Sequence, residues 1–404
     1  MKAGRTGPSF PRFEATKVLQ LCQSEQIGLD EAIERVLDRA KPDVISNRAW
    51  ILEICSGALR WRGRLDFAID QQSLKKKPTG WIRRVLQLAA YQLIVQGNAK
   101  NAAIVSESVD LVREKEGAFP SKFVNAVLRR LSDHAVDWRE LPFPDKTPNQ
   151  QAAWASLPEW MWKRIVADHG VQRAQSYAVA SLERPTLWIR NRADGKAQKM
   201  ESLDQARKDL EAGQAYVQDI SSQTLVDWVS GHLKKRNLSQ VLDLCAAPGG
   251  KSIALAWAGK AVFSSDVDGE RAIRLQENLQ KFTGGSARWV SGADIGKGQF
   301  ENFDAVWVDA PCTGSGILRR HPEIRWNKAE KDLGQLSAIQ VDLLKKARGW
   351  VKPGGLLIYS VCSILKDEAS GALAKAGLKP IDEKWLFPQD EPHGDGFYGA
   401  VIEL

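Results

Sequence analysis

The sequence predicts three regions of different fold class: an all-α helical domain over residues 1–140, a small α+β connector over 141–230, and an α/β domain over 231–404. Two patterns lead to this division. In the first third, apolar residues recur at helical spacing with no strand signal between them. From about residue 238, short apolar runs bounded by turn residues alternate with helix-like stretches, which implies a parallel sheet covered on both faces. Between the two, Leu141 to Pro148 carries three prolines in eight residues, a composition that ends helices and marks a linker.

In the first region Ile82, Val85, Leu86, Ala89 and Leu93 form one apolar stripe, and Phe123, Val124, Val127, Leu128 and Leu131 form another. Cys22 and Cys55 fall inside such helical patterns and read as core. The connector offers an aromatic-rich helix from Trp160 to His169 and an extended run from Thr186 to Ile189. In the last region Val241–Leu244, Ala261–Ser264, Ala287–Val290, Ala305–Val308 and Leu356–Tyr359 read as strands, with helices over Arg271–Phe282 and Leu333–Arg348.

Composition bounds the function. Of 404 residues, 43% are hydrophobic and 26% charged, which excludes a mainly disordered or fibrous chain. No run of eighteen apolar residues is present, so no membrane-spanning helix is predicted. Met1 to Pro8 has no apolar core behind its charges, so no secretory signal is expected. The five cysteines are scattered without a Cys-x-x-Cys pair, which argues against a disulfide framework or a zinc cage and fits a reducing cytoplasm. The net charge of +8 is concentrated in residues 1–140, which carry +6, and that asymmetry suits a polyanionic partner.

In a parallel sheet ligands bind beyond the carboxyl ends of the strands, so those positions carry the candidates. The first run is followed by Cys245-Ala246-Ala247-Pro248-Gly249-Gly250-Lys251, where small residues let backbone N–H groups approach a ligand at a helix N-terminus. Cys245 stands where a phosphate-binding P-loop needs glycine, and Pro248 stiffens the turn, so an ATPase is disfavoured. Asp266, Asp294 and Asp309 follow three successive runs and together suggest a nucleoside-containing cofactor, with Asp266 placed to accept from ribose hydroxyls. Cys312 and Cys362 lie just beyond the fourth and fifth runs. A thiol beside a helix N-terminus or a cation has its thiolate stabilised, the condition for nucleophilic work.

The set Asp243 to Lys251, Asp309-Ala310-Pro311-Cys312 and Ser360-Val361-Cys362-Ser363 resembles the two-cysteine RNA cytosine-5 methyltransferases. Arg319-Arg320-His321-Pro322-Glu323-Ile324-Arg325-Trp326 is similar to that family's basic loop, Val217 to Gln223 to the segment leading into its catalytic domain, and Asp395 to Tyr398 to its final hairpin. Leu88 to Leu93 and Phe123 to Arg130 resemble a NusB-like RNA-binding domain, a fusion typical of the Sun-type bacterial 16S ribosomal RNA enzymes. Three positions depart from the pattern: Val361 where the family has Thr, Ala369 after Glu368 where it has Asn, and Arg192 in a triplet that often reads Arg-x-Asn.

The resemblance implies a Rossmann-like, S-adenosylmethionine-dependent methyltransferase domain. It implies Cys362 as nucleophile toward carbon 6 of cytosine, Asp309 as hydrogen-bond partner of ring nitrogen 3, and Cys312 as the group that assists proton removal from carbon 5. It further implies that Cys245, Ala246, Ala247, Pro248, Gly249, Gly250 and Lys251 hold the cofactor's amino-acid part, Asp266 its ribose and Asp294 its adenine. Arg319, Arg320, His321 and Arg325, beside Trp326, would face RNA. The implied partner is 16S ribosomal RNA in a single-stranded or loop region, and a cytoplasmic monomer is the expectation. A transfer RNA or another ribosomal RNA as substrate, and a non-catalytic RNA-binding assembly factor, stay open on the sequence.

Overall fold

A computed structural model describes residues 10–38, 40, 42–73, 77–97, 100–145, 147–267 and 269–404. Met1 to Pro8, on which the expectation of no secretory signal rests, lies outside them. Within the described residues no helix is long and apolar enough to cross a membrane. The chain forms two compact units. One comprises the chain up to Leu182 together with Leu318–Ala329; the other comprises Glu183–Ile317 and Glu330–Leu404.

The first unit is helical: α1 (Phe10–Ser24), α2 (Leu29–Leu37), α3 (Pro42–Ile45), α4 (Arg48–Arg60), α5 (Arg62–Gln72), α6 (Gly80–Tyr91), α7 (Asn101–Glu116), α8 (Ala118–Asp133), α9 (Ala135–Arg139), α10 (Pro148–Ala155), α11 (Glu159–His169) and α12 (Val171–Leu182). Its core is built from the predicted stripes, with Val85, Leu86 and Ala89 of α6 meeting Val124, Val127 and Leu128 of α8 in one buried cluster. Cys22 and Cys55 belong to the same cluster.

The second unit carries a three-stranded antiparallel sheet of β1 (Leu187–Asn191), β2 (Ala197–Met200) and β3 (Ala215–Val217), with a short α13 (Arg207–Glu211). Helix α14 (Ile220–Lys235) then leads into β4 (Gln240–Leu244), α15 (Gly250–Trp257), β5 (Ala261–Ser265), α16 (Gly269–Thr283), β6 (Ala287–Trp289) and β7 (Phe303–Asp309). After α17 (Ile324–Asn327), which belongs to the helical unit, come α18 (Glu330–Arg348), β8 (Val351–Val361), α19 (Ser370–Lys375), β9 (Asp382–Leu386) and β10 (Phe397–Glu403). The large sheet has the order β6-β5-β4-β7-β8-β10-β9; β4 to β8 pair in parallel, and β10 runs antiparallel to β8 and β9. Val241 and Leu242 of β4 enter different apolar clusters on the two faces, as alternation along a doubly covered strand requires. The strand order reverses between β4 and β7, so the crevice where such sheets bind ligands lies between their carboxyl ends.

The compact units do not divide at 140 and 230 as the sequence suggested. The prolines do end α9, but the stretch after it is packed: Phe143 meets Trp154 edge-on at 5.1 Å, and Trp154 Nε1 donates to Leu141 O at 2.8 Å. Arg64 of α5 donates to Trp154 O at 2.6 Å, which draws α10 and its successors into the helical unit. The small sheet joins the other unit, where Gln223 of α14 donates to Ile189 O at 3.2 Å.

Candidate active site

The loop from β4 to α15 turns through Gly249, whose φ of 109° suits a residue without Cβ. It opens on the first turn of α15, whose N–H groups have no intrahelical acceptor. Asp266, at the end of β5, is buried and accepts from Ala247 N–H at 3.0 Å and from Arg271 at 2.9 Å, tying this loop to the neighbouring strand end. Asp294 is exposed in the turn after β6. Asp243 is buried beneath the loop; Ser252 donates to one oxygen, and burial pushes its carboxyl up to about 7. Its other oxygen, Oδ1, has no donor among the described residues, nor has the buried Oε1 of Gln218, whose amide lies 3.4 Å from the place a Cβ on Gly250 would take. Two buried acceptors, free helix N–H groups and a strand-end carboxylate match a ligand that brings an ammonium, a carboxylate and ribose hydroxyls.

Across the crevice, Asp309 ends β7. Its Oδ2 accepts from Lys251 Nζ at 2.5 Å and its Oδ1 from Ser360 Oγ at 2.6 Å, while Ser360 accepts from Trp307 Nε1 at 2.8 Å. Burial alone would lower the Lys251 pKa; the charge and hydrogen bond of Asp309 outweigh it and raise it. Lys251 is therefore a cation held inside the site.

Cys312 and Cys362 leave β7 and β8 side by side, with their sulfurs 3.0 Å apart. The hydrogen bond with Cys362, then burial, then the charges of Cys362 and Glu368 push the Cys312 thiol well up. The two loops are laced together. Gly316 N–H donates to Cys362 O at 2.9 Å, and Ser315 Oγ meets Ser363 Oγ at 2.8 Å. Glu368, fully buried, accepts from Thr313 N–H at 2.7 Å, Thr313 Oγ1 at 2.6 Å and Gln340 Nε2 at 3.3 Å. Val361, where a threonine hydroxyl was noted as missing, is buried in the apolar cluster with Val306, Tyr359 and Ala400. Trp307, Ser360, Thr313, Gln340 and Glu368 were not singled out as site residues. Glu368 sits in the charged run Lys366-Asp367-Glu368, which gives no local sign of burial, and nothing local marks Gln340.

The basic segment is a correction. Arg319 and Arg325 are buried, 1% and 0% exposed, and belong to the helical unit rather than to an open rim. Arg325 donates to Ser156 O at 3.1 Å and Ser181 O at 2.6 Å, capping carbonyls after α10 and within α12. Trp326 donates to Leu59 O at 2.8 Å and lies under Arg62, so its ring is already covered. Only Arg320 and His321 of the four keep partial exposure. His321 rests 3.5 Å from Glu323, and that contact raises its pKa.

Fold and site together define an S-adenosylmethionine-dependent methyltransferase. Residues 231–400 match the family described as 16S rRNA methyltransferase RsmB/F, and residues 11–133 match the NusB family. The chain thus carries a methyltransferase domain similar to the RsmB/F ribosomal RNA methyltransferases, with a domain similar to NusB at its N-terminal side. It is 29% identical to the ribosomal RNA small subunit methyltransferase B of Yersinia pseudotuberculosis, and equally to that of Yersinia pestis, over 92% of this chain and 96% of theirs. Among solved structures, PH0851 superposes with a TM-score of 0.68 at 20% identity over the full length of both chains. A methyltransferase homologue from Pyrococcus horikoshii superposes with a TM-score of 0.51 at 20% identity, covering 62% of this chain and 97% of its own.

Proposed function

We propose that this protein forms 5-methylcytosine in 16S ribosomal RNA through a covalent bond between Cys362 and the target base. The observation that carries the reading is the pair of sulfurs 3.0 Å apart at adjacent strand ends, beside an aspartate locked to a lysine. Two curated relatives similar along 92% of the chain bear the name ribosomal RNA small subunit methyltransferase B, which supports the small-subunit substrate. Bound S-adenosylmethionine supplies an electrophilic methyl group. Cys245 to Lys251, Asp266 and Asp294 are the residues that would hold it, joined by Gln218 and Asp243 through their unpaired acceptors.

Carbon 5 of cytosine is a poor nucleophile on its own. Addition of the Cys362 thiolate to carbon 6 moves electron density to carbon 5 and divides one difficult step into easier ones. Asp309, fixed by Lys251 and Ser360, meets the ring at nitrogen 3 and its neighbouring amine and stabilises the charge that develops there. Cys312 then takes the carbon 5 proton, and Cys362 is expelled. The base must leave its stack to reach these groups, which suits single-stranded or loop RNA. Arg320 and His321 remain as RNA contacts on the basic segment. A cytoplasmic monomer completes the reading.

The test is a pair of variants assayed with a 16S transcript. Cys362→Ala abolishes both methylated product and covalent adduct, whereas Cys312→Ala accumulates a protein–RNA adduct that survives denaturing gels. Adduct from the first variant and none from the second would reverse the two roles. Bisulfite mapping of ribosomal RNA from cells with and without the gene locates the target cytosine.

A further inference from the structure

We propose that Glu368 is a positioning residue that sets Cys312 for proton removal from carbon 5. The inference rests on the covalent reading above and extends it to a carboxylate that touches no substrate. The geometry is specific. Glu368 holds Thr313, the residue after Cys312, by its N–H at 2.7 Å and its hydroxyl at 2.6 Å. Ser363, the residue after Cys362, lies near the same carboxylate and favours its ionised form. One buried carboxylate therefore grips the residue that follows Cys312, whereas the residue that follows Cys362 is held by Ser315.

The grip is itself anchored. Gln340 of α18 donates to Glu368 Oε1 at 3.3 Å and to Pro311 O at 2.9 Å, so the helix fixes the carboxylate and the backbone just before Cys312 together. The Tyr359 hydroxyl donates to Glu368 O at 2.5 Å, holding the backbone of Glu368 to β8. Burial raises the pKa of this carboxyl, and the donors at both oxygens act against that and favour its ionised form. Its charge has a second effect, since a nearby anion makes the Cys312 thiolate a stronger base once formed.

The step served is balanced as follows. The Cys312 thiolate takes the proton from carbon 5, and the carbon–hydrogen electron pair becomes the carbon 5–carbon 6 double bond. The bond from carbon 6 to Cys362 Sγ breaks with its pair on sulfur, and Cys312, now a thiol, gives its proton to water. Cys362 can still add to the base when Glu368 is lost, so the defect falls after methyl transfer.

Glu368→Ala and Glu368→Gln, each checked for an intact fold by circular dichroism and thermal melting, are compared with wild type and Cys312→Ala on the same 16S transcript. A displacement of about 1 Å at a reacting group slows a step on the order of a hundredfold. Glu368→Ala is thus expected to lose roughly a hundredfold in multiple turnover while its single-turnover methyl incorporation stays near wild type. Covalent adduct accumulates as it does in Cys312→Ala. Glu368→Gln, which keeps an acceptor for Thr313 N–H, recovers part of the turnover and traps less adduct. Wild-type turnover without adduct in Glu368→Ala overturns the proposal, and so does parallel loss of adduct and product in a folded variant. Absence of adduct in Cys312→Ala itself overturns the covalent reading instead, which separates the two failures.

Discussion

Replacing Gly316 by alanine tests how tightly the two cysteine loops are bound to each other. A Cβ at Gly316 would sit 2.0 Å from Gly396 O, 2.6 Å from its carbonyl carbon and 2.9 Å from its Cα, all backbone atoms that no side-chain rotation can clear. Relief to an ordinary contact of about 3.4 Å requires the two strands of chain to part by more than about 1 Å. One hydrogen bond holds them together there, Gly396 N–H to Gly316 O at 2.8 Å, and Gly316 N–H to Cys362 O at 2.9 Å ties the same glycine to the second cysteine loop. Parting by that amount breaks the Gly396–Gly316 bond, and each of the two buried backbone groups left without a partner costs about 1–3 kcal/mol. Gly316→Ala is therefore predicted to destabilise the protein by about 2–5 kcal/mol, measured by urea unfolding. Gly231→Ala is the control: it lies in α14 with nothing within 4 Å, and a helical Gly→Ala change stabilises by about 0.5–1 kcal/mol. Methyl transfer falls in the first variant and not in the second. An unfolding midpoint for Gly316→Ala equal to that of wild type would refute the argument.

Three further outcomes follow from the same contacts. Arg325→Met strands the carbonyls of Ser156 and Ser181 in a buried setting and should cost about 2–4 kcal/mol, read from the unfolding midpoint. Ser360→Ala removes the donor to Asp309 and the acceptor of Trp307, so kcat should drop about tenfold with KM for RNA little changed; an unaltered kcat would exclude Ser360 from orienting Asp309. The folded state keeps a proton on Asp243 up to about pH 7, whereas the ordinary carboxyl value is 3.8. The unfolded chain releases it earlier, so the stability from this group is complete at low pH and is lost as pH rises toward 7, at up to about 1.4 kcal/mol per pH unit. Wild type should therefore lose stability relative to Asp243→Asn between pH 5 and pH 7 in urea titrations; a constant difference would contradict the burial argument.

The parallel strands and the aspartates at their ends could be read from sequence because a doubly covered strand is a short apolar run, and its last polar residue marks the sheet's rim. Asp309, Cys312 and Cys362 were found that way. What joins them could not be, because Lys251 meets Asp309 and Glu368 meets Thr313 across 58 and 55 positions of chain. Arg325 was misplaced for a related reason. A cation in a basic run is normally solvated, and its burial depends on two carbonyls 169 and 144 residues away. The edge strand β9 escaped notice because Asp382-Glu383-Lys384 shows no apolar alternation, as charged edges often do not.

Leu318–Ala329 is a late stretch of sequence installed in an early domain. A ribosome that has released residues up to Leu182 has not yet made Arg325 or Trp326, so Ser156, Ser181 and Leu59 wait for donors encoded 169, 144 and 267 codons downstream. Maturation of the N-terminal globule is thereby tied to synthesis of β7, and a protein truncated after Leu182 would emerge with a notch in its interior. A peptide spanning 318–329, added in trans, should heal it.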